Sequence, residues 1–258
     1  MRILITNDDG IEAAGLDVLE KIATDLSDDV WVIAPETDQS GAAHSLTLAE
    51  PLRMRELGKR RYAVKGTPTD CVIMGVRFLL KAKPPDLVLS GVNRGQNLAD
   101  DVNYSGTVAG AIEGTLLGVP SIAMSLVVGP AEADQDVGTP IWETPMRHGA
   151  LLVRKLLKAG WPDGVVLNVN YPDCAPDAVK GIAATVQGQR DPDLLRIEDR
   201  LDTRGHAYYW LGIERRRAKP PKGTDLWAVR SQLISVTPLC LDYTDEDARR
   251  KLAEALRA

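Results

Sequence analysis

Aromatic side chains are scarce: the 258 residues include one Phe, and Phe, Trp and Tyr together make up 5%. A core without ring bulk has to be aliphatic, built from Leu, Val, Ile and Ala. That favours strands covered by helices over a small aromatic-rich β-domain. Cysteine is nearly as rare. Cys71, Cys174 and Cys240 are odd in number and far apart, so they form neither a disulfide framework nor a CxxC zinc pattern. The expected compartment is the reducing cytoplasm. Three His leave no material for a His-rich zinc site. No apolar run reaches the ~18 residues of a membrane span, so no membrane partner is expected. The N-terminal apolar stretch turns polar at Asn7, too early for the core of a signal peptide. Positive charge is also in deficit. The net charge of −5 argues against a protein that wraps duplex nucleic acid, which needs a basic face. Residues 190–222 run against this balance, with nine Arg and Lys against six Asp and Glu. Both a solvated hairpin and a basic arm beside a small anionic substrate account for that.

Several catalytic signatures are missing as well. There is no Walker Lys-Ser/Thr pair, no GxGxxG after the first strand and no GxSxG elbow, which sets aside P-loop NTPases, dinucleotide folds and α/β-hydrolases.

What is present alternates. Residues 2–6 read as an aliphatic strand, halted by Asn7, Asp8, Asp9 and Gly10, all turn formers. Leu16, Leu19, Ile22, Ala23 and Leu26 follow at helical spacing, and 30–34 form a second strand before Pro35. This is a βαβ unit of a parallel sheet. Further along, 52–57 and 61–65 suggest a hairpin turning at Gly58. A helix capped by Thr69 or Asp70 carries Val72, Ile73, Val76, Leu79 and Leu80, then 86–90 form a strand. A small-residue helix over 106–117, a strand over 121–128, a helix over 145–159 and a strand over 165–169 complete the series, with a Gly/Pro/acid-rich excursion at 129–145. The reading is a doubly wound, mostly parallel, Rossmann-like α/β sheet with helices on both faces over residues 1–175. After it, 176–258 read as a β-rich arm, with short strands at 207–213, 226–229 and 234–237, and a helix over 244–258.

In such sheets ligands bind beyond the carboxyl ends of the strands. Three strands deliver short oxygen-bearing side chains and glycines to that edge. They present Asn7, Asp8, Asp9 and Gly10; then the segment from Pro35 to Ser40 and Gly41; then Ser90, Asn93 and Asn97. Adjacent carboxylates on a turn repel unless a cation or donors compensate, and with hydroxyl and amide oxygens they suit Mg²⁺, Mn²⁺ or Ca²⁺. A plain turn and helix N-cap uses the same residues. Ser105, Gly106 and Thr107 open a helix, a geometry that serves equally for capping and for holding a phosphate. His44, in a polar loop, and Cys71, before a helix, read as structural. A cation beside a phosphate turn describes metal-assisted phosphoryl chemistry, and a non-catalytic metal-dependent nucleotide-binding or regulatory protein would carry the same pair.

The ordered set ILITNDDG (3–10), AP (34–35) leading to SG (40–41), GTPTDC (66–71), SGVNRGQN (90–97), YSGTV (104–108), TD (224–225) and SVTPL (235–239) resembles the stationary-phase survival protein SurE family over nearly the whole chain. The resemblance implies a divalent-metal-dependent phosphatase of nucleoside 5′/3′-monophosphates, some members also cleaving short polyphosphate. It implies one Mg²⁺ or Mn²⁺ per subunit, held by Asp8, Asp9, Ser40 and Asn93, and a phosphate site at Asn97, Ser105, Gly106 and Thr107. Asp8 would orient or deprotonate the attacking water, or carry the phosphoryl group as an aspartyl-phosphate. It further implies a homodimer or homotetramer exchanging the C-terminal arm and helix. One departure stands out: Gln232 occupies a place where the family usually has Gly.

Overall fold

In a computed structural model, residues 1–129, 140–190, 195–213 and 220–257 are described. Parts of the 129–145 excursion and of the 190–222 arm lie outside them. The centre is a nine-stranded sheet. Its strands are β1 (Arg2–Thr6), β2 (Asp29–Pro35), β3 (Arg53–Gly58), β4 (Arg61–Lys65), β5 (Leu87–Arg94), β6 (Ser121–Leu126), β7 (Val165–Tyr171), β8 (Gly181–Ala184) and β11 (Leu233–Cys240). A separate two-stranded ribbon holds β9 (Leu195–Leu201) and β10 (Ala207–Ile213). The order is β3-β4-β2-β1-β5-β6-β7-β11-β8, and the six strands from β4 to β7 are mutually parallel. β3 is antiparallel to β4 and β11 to β7, while β8 runs parallel to β11.

Alternation along β1 shows why helices cover both faces. Ile3 and Ile5 point into one core with Leu16, Leu19 and Ile22 of α1 (Ala14–Thr24) and Leu152 and Val153 of α4 (Glu143–Ala159). Leu4 points into the other, with Cys71 and Val72 of α2 (Pro68–Ile73) and Val88 of β5. α3 (Gly106–Leu116) lies on this second side, with Val108 and Ala111 against Ala123 and Val166. All these side chains are buried and, Cys71 apart, aliphatic, which is the packing that a sequence nearly free of aromatics permits.

Several local expectations are corrected. α2 is capped by Thr67, not by Thr69 or Asp70; Thr67 Oγ1 accepts from Asp70 N while the Asp70 carboxylate accepts from Thr67 N, a reciprocal capping box. Past Ile73 the helix widens into a π turn over Met74–Leu79. The β3–β4 hairpin does not turn at Gly58, which still pairs with Arg61; Arg60 takes the left-handed conformation instead, at φ 62°. Residues 226–229 are no strand but part of α5 (Asp225–Arg230), capped by Thr224 Oγ1. The predicted terminal helix is α6 (Glu246–Ala255), capped by Asp245. Gln232 sits at φ 60°, so this side chain occupies a backbone shape that glycine fills at lower cost. Among the described residues no helix is long and apolar enough to cross a membrane.

Candidate active site

The strand order reverses between β1 and β5: the chain leaves β1 for β2 on one side, and returns to β5 on the other. Parallel sheets open a crevice at such a switch point, beyond the carboxyl ends of the two strands. β1 and β5 are in register to Thr6 and Ser90, so Asn7, Asp8 and Asp9 emerge beside the segment 91–97.

The turn after β1 is fixed from within. Asn7 Nδ2 donates to Gly10 O at 2.9 Å, and Gly10 holds φ 101°, where L side chains are strained. The loop after β2 is tied to the same turn, since Gln39 N donates to Asp8 O at 2.8 Å and Ile11 N to Pro35 O at 2.8 Å. This brings Ser40 alongside. Ser40 is exposed, and its N–H donates to Asp38 Oδ1 at 2.7 Å.

Asp8 is buried, with 4% of its surface exposed. Its Oδ1 accepts the Thr107 hydroxyl proton from the first turn of α3. Gly106 permits that approach: a Cβ there would lie 2.8 Å from Asp8 Cβ and 3.0 Å from Asp8 Oδ2. Asp9 Oδ2 accepts from Arg94 N at 3.3 Å, next to Asn93 on β5. Asn93 Nδ2 donates to Gly95 O at 2.9 Å; a carbonyl only accepts, so the Asn93 amide nitrogen is fixed and its Oδ1 is left as a ligand atom.

The electrostatics call for a cation. Burial raises the pKa of Asp8 above the usual carboxylate range, against the pull of Thr107. Burial and then the neighbouring Asp8 charge push Asp9 up to about 6. Asp38 adds repulsion to both, and the Arg94 charge offsets little of it at Asp9, ranking below burial, Asp8 and Asp38. Among the described residues no three His, Cys, Asp or Glu side chains gather as a metal cage. The donor set is instead two carboxylates with a hydroxyl and an amide oxygen, all hard oxygens, which fits Mg²⁺ or Mn²⁺ and not a thiolate- or imidazole-seeking metal.

The phosphate side begins at α3. Ser105 Oγ accepts from Val108 N at 3.0 Å, so Ser105 caps the helix and keeps its own hydroxyl proton to donate. Asn97, in the loop after β5, is held by residues of β6 and β7. Its N–H donates to Asn170 Oδ1 at 2.9 Å, and its carbonyl accepts from Asn168 Nδ2 at 2.8 Å and Asn170 Nδ2 at 3.1 Å. Its side-chain Nδ2 donates to Ser125 Oγ at 2.8 Å, which leaves a second amide proton for a ligand. Two residues on, Ala99 N donates to the fully buried Asp225 at 2.8 Å.

Sequence reasoning missed Asp38, Ser125, Asn168, Asn170 and this role of Asp225. The asparagines did leave a trace: in VVLNVNY two amides alternate within an apolar strand, which is costly unless they have partners. For Asp70 the link to the loop was missed; besides the capping box it accepts from Thr47 N and Thr47 Oγ1 at 3.1 and 2.6 Å, bracing the 40–52 loop. Cys71 is fully buried and its thiol is pushed well up by burial, so it is no nucleophile.

Known proteins resemble the chain in sequence and in fold. A family profile described as Survival protein SurE matches residues 3–193. The chain is 58% identical to a 5′-nucleotidase SurE of Azorhizobium caulinodans, over the whole of both chains. It is 59% identical to one from a Methylobacterium species, covering 99% of this chain and all of that protein. Among solved structures, the SurE protein of Aquifex aeolicus superposes with a TM-score of 0.85 at 39% identity, over the full length of both chains.

Proposed function

Since the chain belongs to the SurE family, we propose that it is a divalent-metal-dependent 5′-nucleotidase whose reaction takes place at the switch point between β1 and β5. It hydrolyses nucleoside monophosphates to nucleoside and phosphate. The observation that carries the site is the adjacent pair of a buried Asp8 and a half-buried Asp9, both raised in pKa first by burial and Asp9 further by the Asp8 charge, with Asp8 in contact with the N-terminal turn of a helix.

Asp8, Asp9, Ser40 and Asn93 would hold one Mg²⁺ or Mn²⁺ per subunit. When bound, that ion supplies Lewis-acid polarisation and charge neutralisation at the phosphoryl group. The chain's own groups do the rest. Free N–H groups at the start of α3 and the Ser105 hydroxyl meet phosphate oxygens, and Gly106 lets them come close. Thr107 spends its hydroxyl proton on Asp8 Oδ1, so it serves the phosphate through its N–H alone and orients the carboxylate. Asp8 Oδ2 then remains to orient, or take a proton from, the attacking water. Asn97 offers its second amide proton to an equatorial oxygen. Attack by Asp8 itself, giving an aspartyl-phosphate whose P–O bond water then cleaves, is the competing route; a phosphorylated Asp8 trapped during turnover would favour it.

We assign the chain to the cytoplasm and to a homodimer or homotetramer, with 1–175 as catalytic body and 176–258 as an arm exchanged between subunits. Support for the last point is the β9–β10 ribbon, where Ile197, Leu201, Tyr209, Trp210 and Leu211 are exposed, and α6, where Leu252 and Leu256 are exposed. The test of function is phosphate release from AMP with Mg²⁺ or Mn²⁺, repeated with EDTA. Release that the chelator abolishes is expected; release indifferent to EDTA would overturn the metal-dependent reading.

A further inference from the structure

We infer that the recess along α3 is the nucleoside subsite, receiving the ribose and base of the monophosphate whose phosphate meets residues 105–107. This rests on the functional reading above for the phosphate end only. The recess is an open cavity of about 340 Å³, within the range of small-molecule sites.

Its position and chemistry point to that ligand. Ser105, the residue that opens the phosphate turn, lines one end. From there one wall follows α3 through Val108 to Ile112, roughly 10 Å along the helix axis, which matches the length of a nucleoside. The facing wall is Leu239 and Leu241, at and just beyond the end of β11. Neither Lys nor Arg lines the cavity. An anion is therefore served at the Ser105 end alone, and the remainder suits a neutral, partly apolar body. A polyphosphate chain would have to leave its second phosphate among Val108, Ile112 and Leu239, where nothing balances the charge.

The polar groups fit as well. Asn103 Nδ2 donates to Asp100 O at 3.1 Å, and Gln187 Nε2 donates to Ala99 O at 3.0 Å. Carbonyls only accept, so both amides are held by their nitrogens, and their oxygens remain as acceptors for ribose hydroxyls or base N–H groups. Tyr243 also lines the recess yet is 85% exposed, and it stacks on no other ring among the described residues. A base laid on it would gain about 1–3 kcal/mol. His44 completes the lining; its Nε2 lies 2.9 Å from Glu113 Oε2 on α3, which ties the loop bearing Ser40 to the recess.

Adenosine, which has no phosphate, isolates this subsite. Titrated calorimetrically into the full chain in Mn²⁺ buffer, it should bind. Ile112→Trp, which fills the recess, should weaken binding about tenfold or more. Tyr243→Ala, at an exposed position that carries no folding risk, should weaken it at least about fivefold. In parallel, the ratio of kcat/KM for AMP to that for ribose 5-phosphate should fall about tenfold in Ile112→Trp. Adenosine that fails to bind the wild type, or binds both variants as well as the wild type, overturns the inference. Occupation of the recess by a second copy of the chain would give that first result. A wild type that hydrolyses neither ester counts against the nucleotidase reading instead, and adenosine binding still decides the recess.

Discussion

The crevice beyond β1 and β5 and the β9–β10 ribbon are opposites in what they do with unfavourable surface. At the crevice, polar groups are buried: Asp8, Asn97, Ser125, Asn168, Asn170 and Asp225 are all nearly or fully inaccessible. At the ribbon, apolar groups are exposed, Leu211 at 76% and Ile197 at 69%. Either would cost stability in a lone subunit without ligands. The crevice finds part of its compensation inside the chain, in side chains that bond one another. The ribbon finds none among the described residues. On the proposed reading, the first region is completed by a small charged ligand and the second by a partner subunit.

The most forceful way to break this contrast is to discharge the crevice. Asp9→Ala should lower kcat/KM for AMP by at least about a thousandfold, some 4 kcal/mol of barrier, and weaken Mn²⁺ binding while the circular dichroism spectrum stays native. Metal-dependent turnover retained at the wild-type level would remove Asp9 from the ligand set. Next comes the internal compensation. Asn170→Ala strips one amide from Asn97 N and one from Asn97 O, and should cost about 10–100-fold in kcat/KM with Mn²⁺ affinity unchanged. Asn170→Asp keeps the acceptor for Asn97 N and loses the donor, so its activity should fall between. Equal loss of metal affinity in both variants would mean a general collapse of the site. A smaller effect is expected at the ribbon. Leu211→Glu should raise the dissociation constant of the assembly about tenfold in sedimentation experiments, leaving the subunit folded. An unchanged assembly would place the interface elsewhere.

The smallest effect is a pH dependence of the metal-free chain. Asp9 is ordinarily a carboxylic acid of pKa near 3.8 in the unfolded chain, and is pushed up to about 6 in the folded one. The folded state therefore binds the proton more tightly, and stability is lost as pH rises from about 4 through about 6. Asp8, also raised, acts in the same direction. Melting temperature in EDTA should fall across that window, and Mn²⁺ should restore it at neutral pH. A melting temperature that rises with pH there would contradict the assigned burial.

These contrasts also explain what could be read directly from the chain. β1, β2, β6 and β7 announce themselves as mainly aliphatic runs between turn formers, because a strand buried on both faces is apolar except where its polar groups find partners. Asp8, Asp9, Ser40 and Asn93 stood out as oxygens at the ends of such runs. The failures came where four residues must decide a structure. LWAV at 226–229 reads as a short apolar strand, yet the informative residues were outside it: Thr224, which caps α5, and Asp225, whose carboxylate reaches Ala99 and Gly188. Asn97 was legible as a polar residue near the edge, but its anchoring was not. Its partners lie 28, 71 and 73 positions away, on strands whose adjacency only the sheet order reveals. Gln232 shows the reverse case, where an unusual residue marks an unusual backbone.

That anchoring gives the enzyme a timetable. The Asp8–Asp9 turn and the strand beside it are both translated within the first hundred residues, but the clamp on Asn97 is complete only with Asn170, 73 residues later, and that on Ala99 only with Asp225, 126 residues later. At synthesis rates of about 5–20 residues per second, the wait for Asp225 is roughly 6–25 s. For that interval a nascent chain on the ribosome can gather its carboxylates while the phosphate-side segment hangs unpinned. On the proposed ligand set, such a chain should bind the cation before it can turn over a nucleotide, with activity appearing only as the last quarter of the polypeptide emerges.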